Sequence, residues 1–270
     1  MPRLTVRGCS FHYELDDFTP PWQPAETIWI QHGYGRSSRF WRHWVTPFAG
    51  QYRVLRLDLR GHGQSDDPGP DFAWTVDGLL ADMLGVMDGL GLEKVHYFGE
   101  SLGGVLGLAF ASRWPERLKS LATCSSPIAI PAASTQAATG LASQATAFAT
   151  LSIAEWTRST IRNRGVTVLS PEHEEWVIHE WEKNRIHVLA GLAELIATVD
   201  LAPILPEVRV PTLLLSPTRS PLTSLSEQAR MRAAIPNARM STIEGSGHEI
   251  YVDRADECIA AYKAFLTGLA

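Results

Sequence analysis

The chain of 270 residues is 45% apolar and 20% charged with a net charge of −5 at pH 7, the balance of a globular protein with a sizeable core. Lys and Arg are scattered, which argues against a nucleic-acid groove or an anionic membrane surface. The opening MPRLTVRGCSFHYEL has no apolar leader and no run reaches the roughly 18 residues of a membrane span, so no membrane partner and a cytoplasmic setting are expected.

Strand-like and helix-like segments alternate along the chain. LTVRG and SFHYEL read as an opening hairpin. TIWIQ (27–31) is a short apolar run ending at His32-Gly33-Tyr34-Gly35, and YRVLRLDL (52–59) is another, stopped by the turn-rich RGHGQSDDPGP. VDGLLADMLGVMDGLG reads as a helix, KVHYF as a strand and SLGGVLGLAFASRWP as a second helix. RLKSLATC and PTLLLS (211–216) are later strands, ARMSTIEG the last, and RADECIAAYKAFLTGL a closing helix. Such alternation predicts an α/β fold, a mostly parallel central sheet flanked by helices. Over 131–205 the rhythm gives way to helix-like segments alone, too many residues for an ordinary crossover. A helical insertion at 131–205 between two late strands is therefore expected, with 1–130 and 206–270 as the core. Cys9, Cys124 and Cys258 lie far apart and show neither a disulfide framework nor metal-ligand spacing.

Gly99-Glu100-Ser101-Leu102-Gly103 matches G-x-S-x-G with a strand before it and a helix after it. A serine at such a tight turn sits in a strained backbone, and the flanking glycines let the chain pass. Its hydroxyl then projects at the carboxyl edge of the sheet, where open α/β sheets bind ligands. Ser101 is accordingly the candidate nucleophile, and it needs a base. His248, in IEGSGHEIY, follows the last expected strand and lies at the same edge, in the chain order serine first and histidine late. Attack on a carbonyl also needs donors for the oxyanion. The Leu102 N–H, directly after the nucleophile, is one, and the Tyr34 N–H of QHGYGR is the second.

Strand-HGYG, DLRGHGQS, GESLGG and GSGHE occur in the order and rough spacing of the α/β-hydrolase superfamily and cover nearly the whole chain. Size, insertion and the RVPTLLLS strand most resemble its 3-oxoadipate enol-lactonase and small-esterase branch. The resemblance implies a Ser-His-acid hydrolase without metal or organic cofactor, with the insertion as a lid over the site. It also implies a structural role for His62 in GHGQS.

One part of the pattern is missing. The family's acid usually follows the penultimate strand, where this chain reads Ser216-Pro217-Thr218-Arg219-Ser220-Pro221; the alternative position reads Thr123-Cys124-Ser125-Ser126-Pro127. Neither holds a carboxylate. Ser220 stands about where the acid belongs and can accept from His248 Nδ1. Glu100 sits at the variable x position of the elbow, and Glu244 and Glu249 read as loop or surface groups. A Ser-His dyad is the remaining reading. Loss of the acid can cost about 10⁴ in turnover where one normally acts, which favours an easy ester or lactone over an amide.

Two rivals share these motifs: a cofactor-independent dioxygenase or C–C bond hydrolase, and a ligand-binding protein with little turnover. For substrate contacts, the candidates are Trp156 and Trp181 in the insertion, and Arg36 and Trp41 after the oxyanion turn. Arg36 can clamp a substrate carboxylate or be a solvated loop charge. The expected partner is a small molecule, aromatic or carboxylated, without nucleic acid, and a homodimer is compatible with the sequence.

Overall fold

The computed structural model describes residues 2–129, 147–161, 163, 165–245 and 247–269. β1 (Arg3–Val6) and β2 (Cys9–Asp16) form the expected hairpin. Its two-residue turn has Arg7 and Gly8 both at positive φ, 50° and 75°, the handedness that matches strand twist. The sheet continues with β3 (Thr27–Gln31), β4 (Arg53–Leu57), β5 (Val95–Glu100), β6 (Leu118–Cys124), β7 (Thr212–Pro217) and β8 (Ala238–Ile243). Its order is β1-β2-β4-β3-β5-β6-β7-β8, with β2 antiparallel to β4 and each later neighbouring pair parallel.

The strands are apolar on both faces because both are covered. In β3, Trp29 packs on one side while Ile28 and Ile30 pack on the other; in β7, Leu214 opposes Leu213 and Leu215. The first face is covered by α1 (Val76–Gly89) and α2 (Leu102–Arg113). The second is covered by the 3₁₀ segment Ser38–Trp44 and by α7 (Ala255–Thr267). A further helix, α6 (Leu225–Ala234), links β7 to β8.

Among the described residues, three α-helices follow β6 and precede β7: α3 (Ile153–Thr160), α4 (Pro171–Glu182) and α5 (Ile186–Thr198). The starts of α3 and α4 are legible locally. Ser152 and Glu155 make a reciprocal capping box on α3, and Ser170 caps α4 just before Pro171. The two ends of the excursion meet, since Ala129 bridges Asp200 and Leu201 N–H donates to Ile128 O at 3.0 Å. The AASTQAATGLASQ stretch of the insertion lies outside the described residues.

Candidate active site

β5 runs directly into α2, and the residue at the junction is Ser101. Its φ of 49° and ψ of −114° lie in a region that side chains avoid. What holds it there is close packing of the turn. Ser101 N–H donates to Cys124 O at 2.9 Å, while a Cβ on Gly103 would lie 2.5 Å from Gln31 O and 2.8 Å from His32 O. Serine at a helix start ordinarily caps it, yet the Ser101 side chain makes no cap hydrogen bond. The Leu102 N–H stands in the first turn of α2, where no intrahelical acceptor exists.

β8 ends at Ile243, and the loop beyond it carries His248 to the same sheet edge. The His248 N–H donates to Gly165 O at 3.0 Å, tying the catalytic-side loop to the inserted helices. On one side of the ring, Nδ1 lies 3.1 Å from Ser220 Oγ. That oxygen also accepts the N–H groups of Leu222 and Thr223, both at 3.2 Å, which fixes its position. On the other side, Nε2 lies 3.7 Å from Oε1 of Glu100, the residue before Ser101.

Glu100 is 3% exposed, and its Oε2 accepts the Gly33 N–H at 2.9 Å. Burial pushes its carboxyl up to about 7, against the opposing pull of Arg36 and the Gly33 N–H. The loop after β3 is thereby anchored from below. It is anchored from the side by two buried histidines. His32 Nε2 accepts from Leu59 N–H at 3.0 Å, and His62 Nε2 accepts from Gly35 N–H at 3.3 Å. Burial holds both neutral, at about 4 and about 3, and a neutral ring is what each acceptor role requires. His62 is thus a structural ligand of the turn. The Gly33, Gly35 and Arg36 N–H groups are committed to Glu100, His62 and Gly33 O respectively.

Several expectations need correction. Glu249 is no surface group; it is 2% exposed and pairs with Arg36. Arg36 is therefore neither a solvated charge nor an open clamp: it is buried, with Phe40 and Trp181 against its guanidinium. Trp41 belongs to the core, stacked on Tyr251 at 4.2 Å and edge-on to Trp44 and Phe98. Trp181 does reach the site. Its ring occupies the space beside Gly35 and lies 5.8 Å from Tyr34, and Trp156 packs behind it at 5.3 Å. Tyr34 extends its hydroxyl to Leu189 O of α5 at 2.8 Å. Ser220 lies against His248 Nδ1, and Glu100, at the chemically variable x position of the elbow, faces the other side of the ring. Glu244 is exposed.

A family model described as alpha/beta hydrolase fold matches residues 26–255. Epoxide hydrolase 4 of Mus musculus is 35% identical over 125 residues, which are 46% of this chain and 34% of that protein. The chain thus spans about a third of the length of such epoxide hydrolases, Epoxide hydrolase B of Mycobacterium tuberculosis included. 3-Oxoadipate enol-lactonase 2 of Acinetobacter baylyi is 25% identical over 90% of this chain and 88% of its own. The crystal structure of the enol-lactonase from Burkholderia xenovorans superposes with a TM-score of 0.88 at 27% identity, covering 98% of this chain and 100% of the other. These relatives are hydrolases, which does not favour the dioxygenase or binding-protein readings. Among the described residues, no group of His, Cys, Asp and Glu suits a metal ion, and no helix is long and apolar enough to cross a membrane.

Proposed function

The chain belongs to the α/β-hydrolase fold family, and from that premise we propose that it is an enol-lactonase-like hydrolase that cleaves a small ester or lactone through an acyl-enzyme on Ser101. The observation that carries this reading is the strained Ser101 whose hydroxyl is not used to cap its own helix. Ser101 Oγ attacks the carbonyl carbon and its proton passes to His248 Nε2. The oxyanion is held by the N–H groups of Leu102, in the first turn of α2, and of Tyr34, on the loop that Glu100 and His62 hold in place. The ester C–O bond then breaks, and the leaving alkoxide takes the proton from Nε2. Water repeats the sequence, giving its proton to His248 and its oxygen to the acyl carbon.

The serine also bears on the epoxide-hydrolase relatives. Attack of a serine oxygen on an epoxide carbon gives an ether that water does not readily cleave, so turnover of an epoxide is not the chemistry of this elbow. With Arg36 already paired to Glu249 and a carboxyl at position 100, the site favours neutral substrates. The helices between β6 and β7 act as the lid, and the buried free cysteines accord with a cytoplasmic setting. The test is intact-mass analysis after fluorophosphonate treatment. Wild-type protein should gain a single adduct and Ser101→Ala none, and neutral esters should be turned over ahead of those bearing a free carboxylate. A folded wild-type chain that takes no adduct would sink the acyl-enzyme mechanism.

A further inference from the structure

Acyl transfer makes an imidazolium, and the described partner of its Nδ1 is a neutral hydroxyl. Ser220 Oγ stands 3.1 Å from Nδ1 and already accepts two backbone N–H groups, so it has little left to give a cation. The other side of the ring is different. Oε1 of Glu100 lies 3.7 Å from Nε2, and both side chains are more than nine-tenths buried. We propose that Glu100 is the counter-charge of His248, supplying from the Nε2 side and from within the elbow the stabilisation that a third triad acid gives from the Nδ1 side. This rests on the acyl-enzyme mechanism above and deepens it.

Three features fit that role. The separation exceeds a hydrogen bond, so Glu100 acts through its charge without occupying Nε2, which the Ser101 proton must reach. The carboxyl is fixed, because Oε2 accepts the Gly33 N–H at 2.9 Å and a side chain at residue 33 would collide with it. The pair also lies where water is scarce, so the attraction is weakly screened. Among the described residues, the titratable groups facing Glu100 are Arg36 from the loop after β3, Cys124 from the end of β6, Tyr251 from the turn before α7, and His248 itself. Arg36 is directly paired with Glu249, which Thr167 N–H also contacts at 2.9 Å, so its charge is shared rather than given to Glu100.

The reactive form then carries an ionised Glu100 beside a neutral imidazole. A proton arriving on either partner disables the pair, and the two titrate as a unit. Burial of Glu100, which lifts its carboxyl to about 7, sets that loss of activity near neutral pH rather than in the acid range. Glu100 is on this account a positioning residue that works through His248 and need not touch the substrate.

The experiment measures the second-order rate of fluorophosphonate labelling of the whole chain from pH 5 to 9, for wild type, Glu100→Gln and Glu100→Asp. In wild type the rate should rise through a limb near pH 7. In Glu100→Gln the limb should move down by about one pH unit or more, as removing a nearby anion lowers a histidine's affinity for protons. Its plateau should fall roughly tenfold or more. Glu100→Asp, which keeps the charge at a greater distance, should fall between the two, and it carries the comparison should the glutamine variant not fold. A labelled wild type whose limb and plateau are unchanged in both variants overturns this inference and leaves the acyl-enzyme mechanism standing. A folded wild type that does not label at all overturns both.

Discussion

Glu100 sets function against stability, and the sign of that conflict can be worked out. Burial raises its carboxyl from the ordinary 4.5 to about 7 in the folded chain. Below about pH 4.5 the group is protonated whether the chain is folded or not. As pH rises, the unfolded chain releases its proton first, so the contribution of Glu100 to stability is lost on the way up through pH 7. The displacement caps the loss at about 3 kcal/mol. Glu100→Gln should therefore be more stable than wild type at pH 8, by roughly 1–3 kcal/mol, and should lose that advantage near pH 4.5; thermal melts at the two pH values decide it. A purely structural glutamate would give the opposite result at pH 8. Ser101 and His248 were legible in the sequence because each sits inside a short pattern that names its own local geometry. Glu249 was not, because its partner Arg36 lies 213 residues away and only the fold brings them together.

Among the elements, the elbow is the tightest joint. α2 leaves β5 so closely that Gly103 lies against the backbone of Gln31 and His32, the start of the oxyanion loop. Backbone cannot swing aside as a flexible side chain can, so Gly103→Ala must push α2 away from the loop after β3 and separate the two proposed oxyanion donors. Overpacking of this kind costs roughly 1–3 kcal/mol, and activity should fall much further than stability, by about 100-fold or more if one oxyanion donor is lost. A variant with near wild-type turnover and a lowered melting point would show that the loop absorbs the added methyl group. Strands and flanking helices could be read from the sequence because they are apolar at the proper period. α6 gave no such signal, since Gln228 and Met231 are its buried residues and no apolar stripe exists to detect. The 3₁₀ segment over Ser38–Trp44 was equally hidden, its aromatic residues being readable as contacts for a ligand as well as for a core.

On the scale of the whole molecule, the two faces of the sheet have separate cores, and the inserted helices join both. Val188 and Leu192 of α5 pack with the α1 and α2 side, while Trp156, Val177, Trp181 and Leu189 pack with the α7 side. Inserted helices seated in this way are held chiefly by core burial, and some of their contacts fall on the loop after β3. Gly35 has a φ of 70° and the Trp181 ring fills the space where a side chain would stand. Tyr34, next to it, is bonded to Leu189 O at 2.8 Å. Trp181 thus links the inserted helices to the loop after β3, together with Asn184, whose Nδ2 donates to Gly35 O at 3.1 Å. Trp181→Ala should destabilise the chain by about 3–5 kcal/mol, the cost of a large cavity. It should also raise KM for small esters, because the loop loses the ring that holds it. Bulky fluorophosphonates should label the variant faster relative to small ones than they label wild type, since entry no longer requires lifting a packed indole. An unchanged ratio of bulky to small labelling rates would place the entrance elsewhere and leave Trp181 as packing alone.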